Sequence, residues 1–248
     1  MIKGVCFDIG GVLYIGDEVI NGAIEVINRL KDRYKIRFLT NTTRKKPKDL
    51  YNKLKEMGFN IDENILFTAL SATKDYIKEQ NATAYTIVAD EVKDYFLDIE
   101  SSNPSFVVVA DAYTNFNYHN LNIGFRKLTN GAKLIAAAKN RYFKDSDGEL
   151  SMDAGGFVKA LEYAANTKAI IIGKPNKEFF LLACKSMNLN PSEVLMIGDD
   201  IETDIKGAKE AGLKSALVKS GKFRKDDLKK DIKPDFILDS IKDLLNIV

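Results

Sequence analysis

Val5-Cys6-Phe7-Asp8-Ile9-Gly10-Gly11-Val12-Leu13 ends an apolar run on a carboxylate and follows it at once with two glycines. In open α/β sheets the strand ends face the crevice where ligands bind, and glycines let backbone amides and carbonyls approach a phosphate or cation closely. Read this way, Asp8 is a nucleophile or metal ligand presented at the carboxyl edge of a sheet. Taken alone, the segment fits a turn-capping aspartate equally well.

Outward from that stretch, short apolar runs bounded by turn residues predict buried strands: 4–7, 36–40, 86–88, 106–109, 134–137, 169–172, 194–197 and 216–218. Helical stripes fall between them. Asn21 is expected to cap a helix reaching Lys31, and Pro47 to open another that Gly58 ends. Further helices are expected over 69–80, 121–128, 156–165, 177–187, 203–211 and 240–247. Such alternation predicts an α/β fold, a doubly wound parallel sheet with helices on both faces and right-handed crossovers. The lysine- and aspartate-rich stretch 221–233 reads as a solvated helix or loop.

The 248 residues suffice for one large domain or two smaller ones. Thirty-seven basic against 35 acidic residues leave a net charge of +2, which gives no electrostatic reason to expect nucleic acid or an anionic membrane as a partner. A small-molecule partner is expected. Cys6 and Cys184 read as buried free thiols, which fits a reducing cytoplasm. No apolar stretch approaches the roughly 20 residues that span a bilayer, and no signal peptide is recognised. The single histidine, His119, has no companions of metal-ligand type and is expected at the surface or in a cap.

Three more polar clusters follow apolar runs: Thr40-Asn41-Thr42-Thr43, Gly173-Lys174-Pro175-Asn176, and Gly198-Asp199-Asp200 with Asp204 close behind. In a parallel sheet all of them emerge at the edge that carries Asp8. A hydroxyl, an ammonium and several carboxylates gathered there suit phosphoryl transfer, and crowded carboxylates call for a cation whose all-oxygen ligation points to Mg²⁺. Each cluster singly also fits a helix cap or strand exit.

In these motifs the chain resembles the haloacid dehalogenase (HAD) superfamily of phosphatases: Asp8 in FDIGGVLY, Thr40 in FLTNTT, Lys174 in IGKPN, and Asp199 with Asp204 in GDDIETD. The resemblance implies a Rossmann-like core of 1–79 and 169–248 with a smaller α/β cap inserted over 80–168. It implies that Asp8 attacks phosphorus to form an aspartyl-phosphate, and that Gly11, Thr40, Asn41 and Lys174 contact the phosphoryl group. Asp8, Asp199 and the backbone carbonyl of Gly10 would hold Mg²⁺, with Asp200 or Asp204 ordering its waters or Lys174. The substrate would be a small phosphorylated molecule, and a homodimer through the cap is consistent with the group.

One departure limits the carry-over. Most family phosphatases have a second aspartate two residues after the nucleophile as general acid and base, and this chain has Gly10. Leaving groups that depart without an added proton suffer least, which favours phosphoramidates, pyrophosphate, acyl phosphates or aryl phosphates over alkyl phosphates. Caps close over such pockets and choose the leaving group. In the cap, Asn140 and Arg141 are candidates to read a substrate anion or are ordinary surface residues, and Asp145, Ser146, Asp147 and Gly148 form an overhanging loop or a plain hairpin turn. Two other classes stay open: a catalytically silent phospholigand binder, which Gly10 favours, and a phospho-accepting receiver domain, for which the chain is about twice too long.

Overall fold

Gly4–Asp8 is a strand because its β-branched and aromatic side chains are buried on both faces, and it is hydrogen-bonded on both sides. In the computed structural model, which describes residues 1–144 and 149–248, this strand lies inside a six-stranded sheet. The order is Phe236–Leu238, Lys214–Val218, Val194–Gly198, Gly4–Asp8, Lys35–Thr40, Leu66–Thr68. The first five run parallel, with Phe7 opposite Phe38 on one side and Ile197 on the other. Parallel pairing puts the carboxyl ends of Gly4–Asp8, Lys35–Thr40 and Val194–Gly198 on one edge.

The chain divides into two compact units, and this sheet belongs to the first, formed by Met1–Thr40, Leu50–Phe67 and Lys174–Val248. Its core gathers Phe7, Phe38 and Phe59 in edge-to-face contact, at 6.0 and 6.4 Å between ring centroids. Helix Ala23–Leu30 buries Val26, Ile27 and Leu30 against this core. Full burial of each such side chain contributes about 1.5–3 kcal/mol. On Lys177–Ser186 the buried stripe is Phe179, Phe180, Ala183 and Cys184, and both Cys6 and Cys184 are buried free thiols as expected.

The second unit, Asn41–Asp49 and Thr68–Gly173, has its own parallel sheet in the order Ile170–Ile171, Lys133–Ala136, Phe106–Val109, Ala84–Ile87. Val107, Val109, Leu134 and Ala136 pack there with Val158 and Leu161 of helix Ala154–Ala164. Polar contacts tie the segment 41–49 to this unit. The Thr43 hydroxyl accepts from the Asp111 amide at 2.9 Å, Arg44 grips the Asp111 carboxylate at 3.1 and 3.2 Å, and Lys46 reaches Asp94 at 2.6 Å. The Arg44 guanidinium also lies over the Tyr113 ring, 4.5 Å from its centroid. His119 is exposed on helix Tyr118–Thr129.

Several expected boundaries shift for local reasons. Asn21 does not cap the first helix: Gly22, at φ 88°, precedes Ala23 with no side-chain cap. The helix expected over 203–211 is a π-helical turn at Ile201–Ile205, capped by the Asp200 side chain, that continues as Lys206–Glu210. Ser240 caps a 3₁₀ segment, Ile241–Asn246, where an α-helix was expected. Tyr14–Ile15, Glu18–Val19, Leu66–Thr68, Tyr142–Lys144, Leu150–Met152 and Phe236–Leu238 form strands too short or too exposed to leave an apolar signature. The expected loop Asp145, Ser146, Asp147 and Gly148 lies outside the described residues.

Candidate active site

Every charged member of the predicted constellation that falls in the first unit meets at the carboxyl edge of its sheet. Asp8 closes Gly4–Asp8, Thr40 closes Lys35–Thr40 and is buried, and Asp199 follows Val194–Gly198. Lys174 puts its ammonium 2.6 Å from Asp8 Oδ1 and 2.6 Å from Asp204 Oδ1, with the Leu39 carbonyl at 3.4 Å. One oxygen from each of Asp8, Asp199 and Asp204 falls within 4.8 Å of the others.

The three carboxylates are held differently. Asp204 has both oxygens engaged, Oδ1 by Lys174 and Oδ2 by the Asp200 amide at 3.2 Å. Asp200 Oδ1 accepts from the amides of Glu202 and Thr203, at 2.9 and 3.0 Å, and so opens the π-helical turn that carries Asp204. Asp199 Oδ2 accepts from the Lys222 amide at 2.6 Å, while its Oδ1 is buried with no hydrogen-bond partner among the described residues. A lone buried carboxylate oxygen is expensive unless a cation meets it.

Electrostatics agree with that donor set. Burial, then the charges of Asp8 and Asp204, push the Asp199 carboxyl up to about 8. Burial raises Asp204 to about 6 against the pull of Lys174. Burial alone would lower the Lys174 ammonium, but Asp204 and Asp8 outweigh it and raise it. One ammonium among three carboxylates leaves excess negative charge, which a divalent ion at Asp8 and Asp199 would relieve. The residues present therefore fit a hard, oxygen-ligated cation.

The glycines after Asp8 behave unlike one another. Gly10 is exposed, bridges to Tyr14, and a Cβ built on it meets no atom of the described residues within 4 Å. Gly11 takes φ +86°, donates its amide to the Tyr14 carbonyl at 2.8 Å, and has no room for a side chain, because a Cβ there would lie 2.0 Å from Asp199 Oδ2. Asn41, Asn140 and Arg141 fall in the second unit. The Asn41 side-chain amide faces Asn140 Oδ1 at 3.4 Å, and Arg141 is exposed.

The sequence reading missed Ser220, Gly221 and Lys222. They follow strand Lys214–Val218 at the same edge, where the Ser220 hydroxyl donates to the Gly11 carbonyl at 2.5 Å and the Lys222 ammonium lies 3.6 Å from Asp200. The available signal was position: the run 216–218 was legible as a strand, and its exit shares the edge of the other motifs.

A buried lysine shared between acidic side chains, at the carboxyl edge of a parallel sheet and beside an unmet carboxylate oxygen, defines a phosphatase-type hydrolase. Comparison with known proteins agrees. Residues 5–100 match the haloacid dehalogenase-like hydrolase model and residues 171–244 a HAD-hydrolase-like model. The chain is 42% identical over 227 residues to haloacid dehalogenase-like hydrolase domain-containing protein 2 of Bos taurus, covering 91% of this chain and 87% of that one. It is 38% identical over 255 residues to phospholysine phosphohistidine inorganic pyrophosphate phosphatase of Homo sapiens, covering 100% and 94%. The solved 4-nitrophenylphosphatase of Thermotoga maritima superposes with a TM-score of 0.92 at 25% identity, covering 99% and 97%. The chain belongs to the haloacid dehalogenase-like hydrolase family, and the receiver-domain alternative falls.

Proposed function

We propose that the protein is a Mg²⁺-dependent phosphohydrolase working through an aspartyl-phosphate on Asp8, with a small phosphorylated substrate whose leaving group departs unprotonated by the enzyme. The observation that carries this reading is Lys174, held at 2.6 Å from both Asp8 and Asp204 beside the partnerless Oδ1 of Asp199.

A carboxylate oxygen of Asp8 attacks phosphorus, and the bond to the leaving oxygen or nitrogen breaks with its electron pair going to the leaving group. Lys174 stays protonated and offsets the charge of Asp8 and the phosphoryl oxygens. Thr40 and Asn41 contact the transferring group, while Asp204 holds Lys174 and Asp200 orders the turn behind it. Water then cleaves the aspartyl-phosphate, restoring the carboxylate and releasing phosphate. Asp8, Asp199 and the Gly10 carbonyl would hold Mg²⁺, which when bound neutralises charge at the reacting phosphate.

Gly10 sets the substrate class. A positioned proton-transfer group is worth about 10²–10⁴ in rate, roughly 3–5 kcal/mol, and no side chain exists at this position to supply it. Protonated phosphoramidates, Mg-complexed pyrophosphate, acyl phosphates and aryl phosphates need that help least. The name of the human relative, with its phospholysine, phosphohistidine and pyrophosphate, supports the same choice.

The test is turnover of 4-nitrophenyl phosphate with Mg²⁺, with chelator, and with Asp8→Asn. Chelator and Asp8→Asn are each expected to lower the rate about 10³-fold or more. Turnover that survives Asp8→Asn refutes the nucleophile. Tight binding of phosphate with no turnover by the unaltered protein instead supports the silent-binder reading that Gly10 also favours.

A further inference from the structure

We infer that the segment Ser220-Gly221-Lys222 is a positioning element for the metal site, fixing which oxygen of Asp199 faces the cation and pinning the Gly11 carbonyl, one residue beyond the Gly10 carbonyl. This rests on the metal reading above and goes beyond it by assigning work to residues outside the four motifs.

Three independent contacts converge on this segment. The Lys222 amide donates to Asp199 Oδ2 at 2.6 Å, leaving Oδ1 as the partnerless oxygen. The Ser220 hydroxyl donates to the Gly11 carbonyl at 2.5 Å, in the peptide unit that follows the one carrying the Gly10 carbonyl, the third proposed ligand, whose own unit is held by the Gly11 amide donating to the Tyr14 carbonyl. The third contact is steric. Gly221, at φ +52°, packs so close that a Cβ there would lie 1.9 Å from Asp199 Oδ2 and 2.6 Å from the Gly11 Cα.

Two glycines from different strand exits thus close on one carboxylate oxygen, and no other residue type fits either place. The consequence is orientational. With Oδ2 held by a main-chain donor, Asp199 meets a cation through Oδ1 alone, and its side chain needs no rearrangement when the ion arrives. Outer partners of this kind orient ligands, and their removal typically lowers metal affinity by about 10–100-fold. Ser220 and Gly221 touch neither substrate nor cation in this scheme and act through Gly11 and Asp199.

The experiment measures Mn²⁺ binding to the metal-free protein by electron paramagnetic resonance and calorimetry, with no substrate present. Ser220→Ala is expected to weaken binding about tenfold and Ser220→Thr, which keeps the hydroxyl, to restore it. Gly221→Ala is expected to weaken binding more strongly and to broaden the Mn²⁺ spectrum as Asp199 loses its fixed orientation. Ser220→Ala, which removes only the hydroxyl held on the Gly11 carbonyl and adds no atom beside either glycine, decides the matter whatever Gly221→Ala does to folding. Melting in chelator reads folding separately, and Ser220→Ala should melt within about 4 °C of the unaltered protein. Unchanged Mn²⁺ affinity in Ser220→Ala overturns this assignment alone. Absence of Mn²⁺ binding by the unaltered protein, or binding that persists in Asp199→Asn, overturns the metal reading together with it.

Discussion

Lys174 and Asp204 meet at 2.6 Å with both side chains almost wholly out of water, 3% and 1% exposed, and the same ammonium reaches Asp8. Breaking such a buried arrangement from one side is strongly destabilising, because the remaining charge stays buried without its partner. Lys174→Met is therefore expected to cost about 3–5 kcal/mol of stability as well as nearly all turnover. Denaturant titration beside a 4-nitrophenyl phosphate assay checks both, and retention of either leaves the shared ammonium without the part given to it.

Gly10→Asp is expected to gain function. The site is exposed and a Cβ meets no atom within 4 Å, so the substitution should fold with stability changed by under about 1 kcal/mol. A carboxyl there would supply general acid and base, raising alkyl phosphate turnover about 10²-fold while changing aryl phosphate turnover far less. The ratio of the two kcat/KM values measures this directly, and a ratio unmoved by the substitution contradicts the leaving-group argument.

Phe38 stands beside Phe7 in register, one pair before Asp8 meets Leu39. Phe38→Ala is expected to cost about 3–5 kcal/mol through the cavity left between Phe7 and Phe59. Phe38→Leu should cost about 1–2 kcal/mol and keep turnover, since the strand register survives. Equal losses in the two variants would show that ring volume is not what holds this strand.

Acid should loosen the second unit through Glu162. Burial pushes its carboxyl up, but Lys139 at 2.6 Å, the Ala169 amide at 3.0 Å and Lys159 at 3.0 Å outweigh it and hold it down at about 2. A carboxyl lowered on folding stabilises the native state above its unfolded value, and the benefit is lost as pH falls from about 4.5 to about 2. Chemical denaturation across that range should lose roughly 2 kcal/mol, and Glu162→Gln should flatten the loss. An unchanged slope in Glu162→Gln would assign the acid sensitivity elsewhere.

The parallel core and the four motifs were legible in the chain because each motif follows an apolar run, and a strand buried on both faces leaves an uninterrupted apolar signature. Hence Asp8, Thr40 and Asp199, far apart in sequence, could be placed on one edge before any coordinates; Lys174 was placed there on a wrong premise, because the run before it, Ile170–Ile171, pairs with Lys133–Ala136 in the second unit's sheet and not in the sheet of Asp8. The short edge strands were not legible: Phe236–Leu238 exposes two of its three residues, and Tyr14–Ile15 is too brief for any period to show. Nor was the π-helical turn at Ile201–Ile205, since residues 203–211 carry an ordinary helical pattern and the Asp200 cap is a local geometric event.

Residue types and their order, then, determined the sheet and the chemistry at its edge. Tertiary structure alone decided that Asn41–Asp49 joins the second unit, through Thr43, Arg44 and Lys46, although it directly follows the Thr40 strand. It alone showed Asp199 gripped by a main-chain amide and two glycines. The physical reason is the same in both cases. Periodicity reports which side chains leave water, whereas a backbone donor, a close approach or an ion pair across the fold depends on distances that no linear pattern encodes.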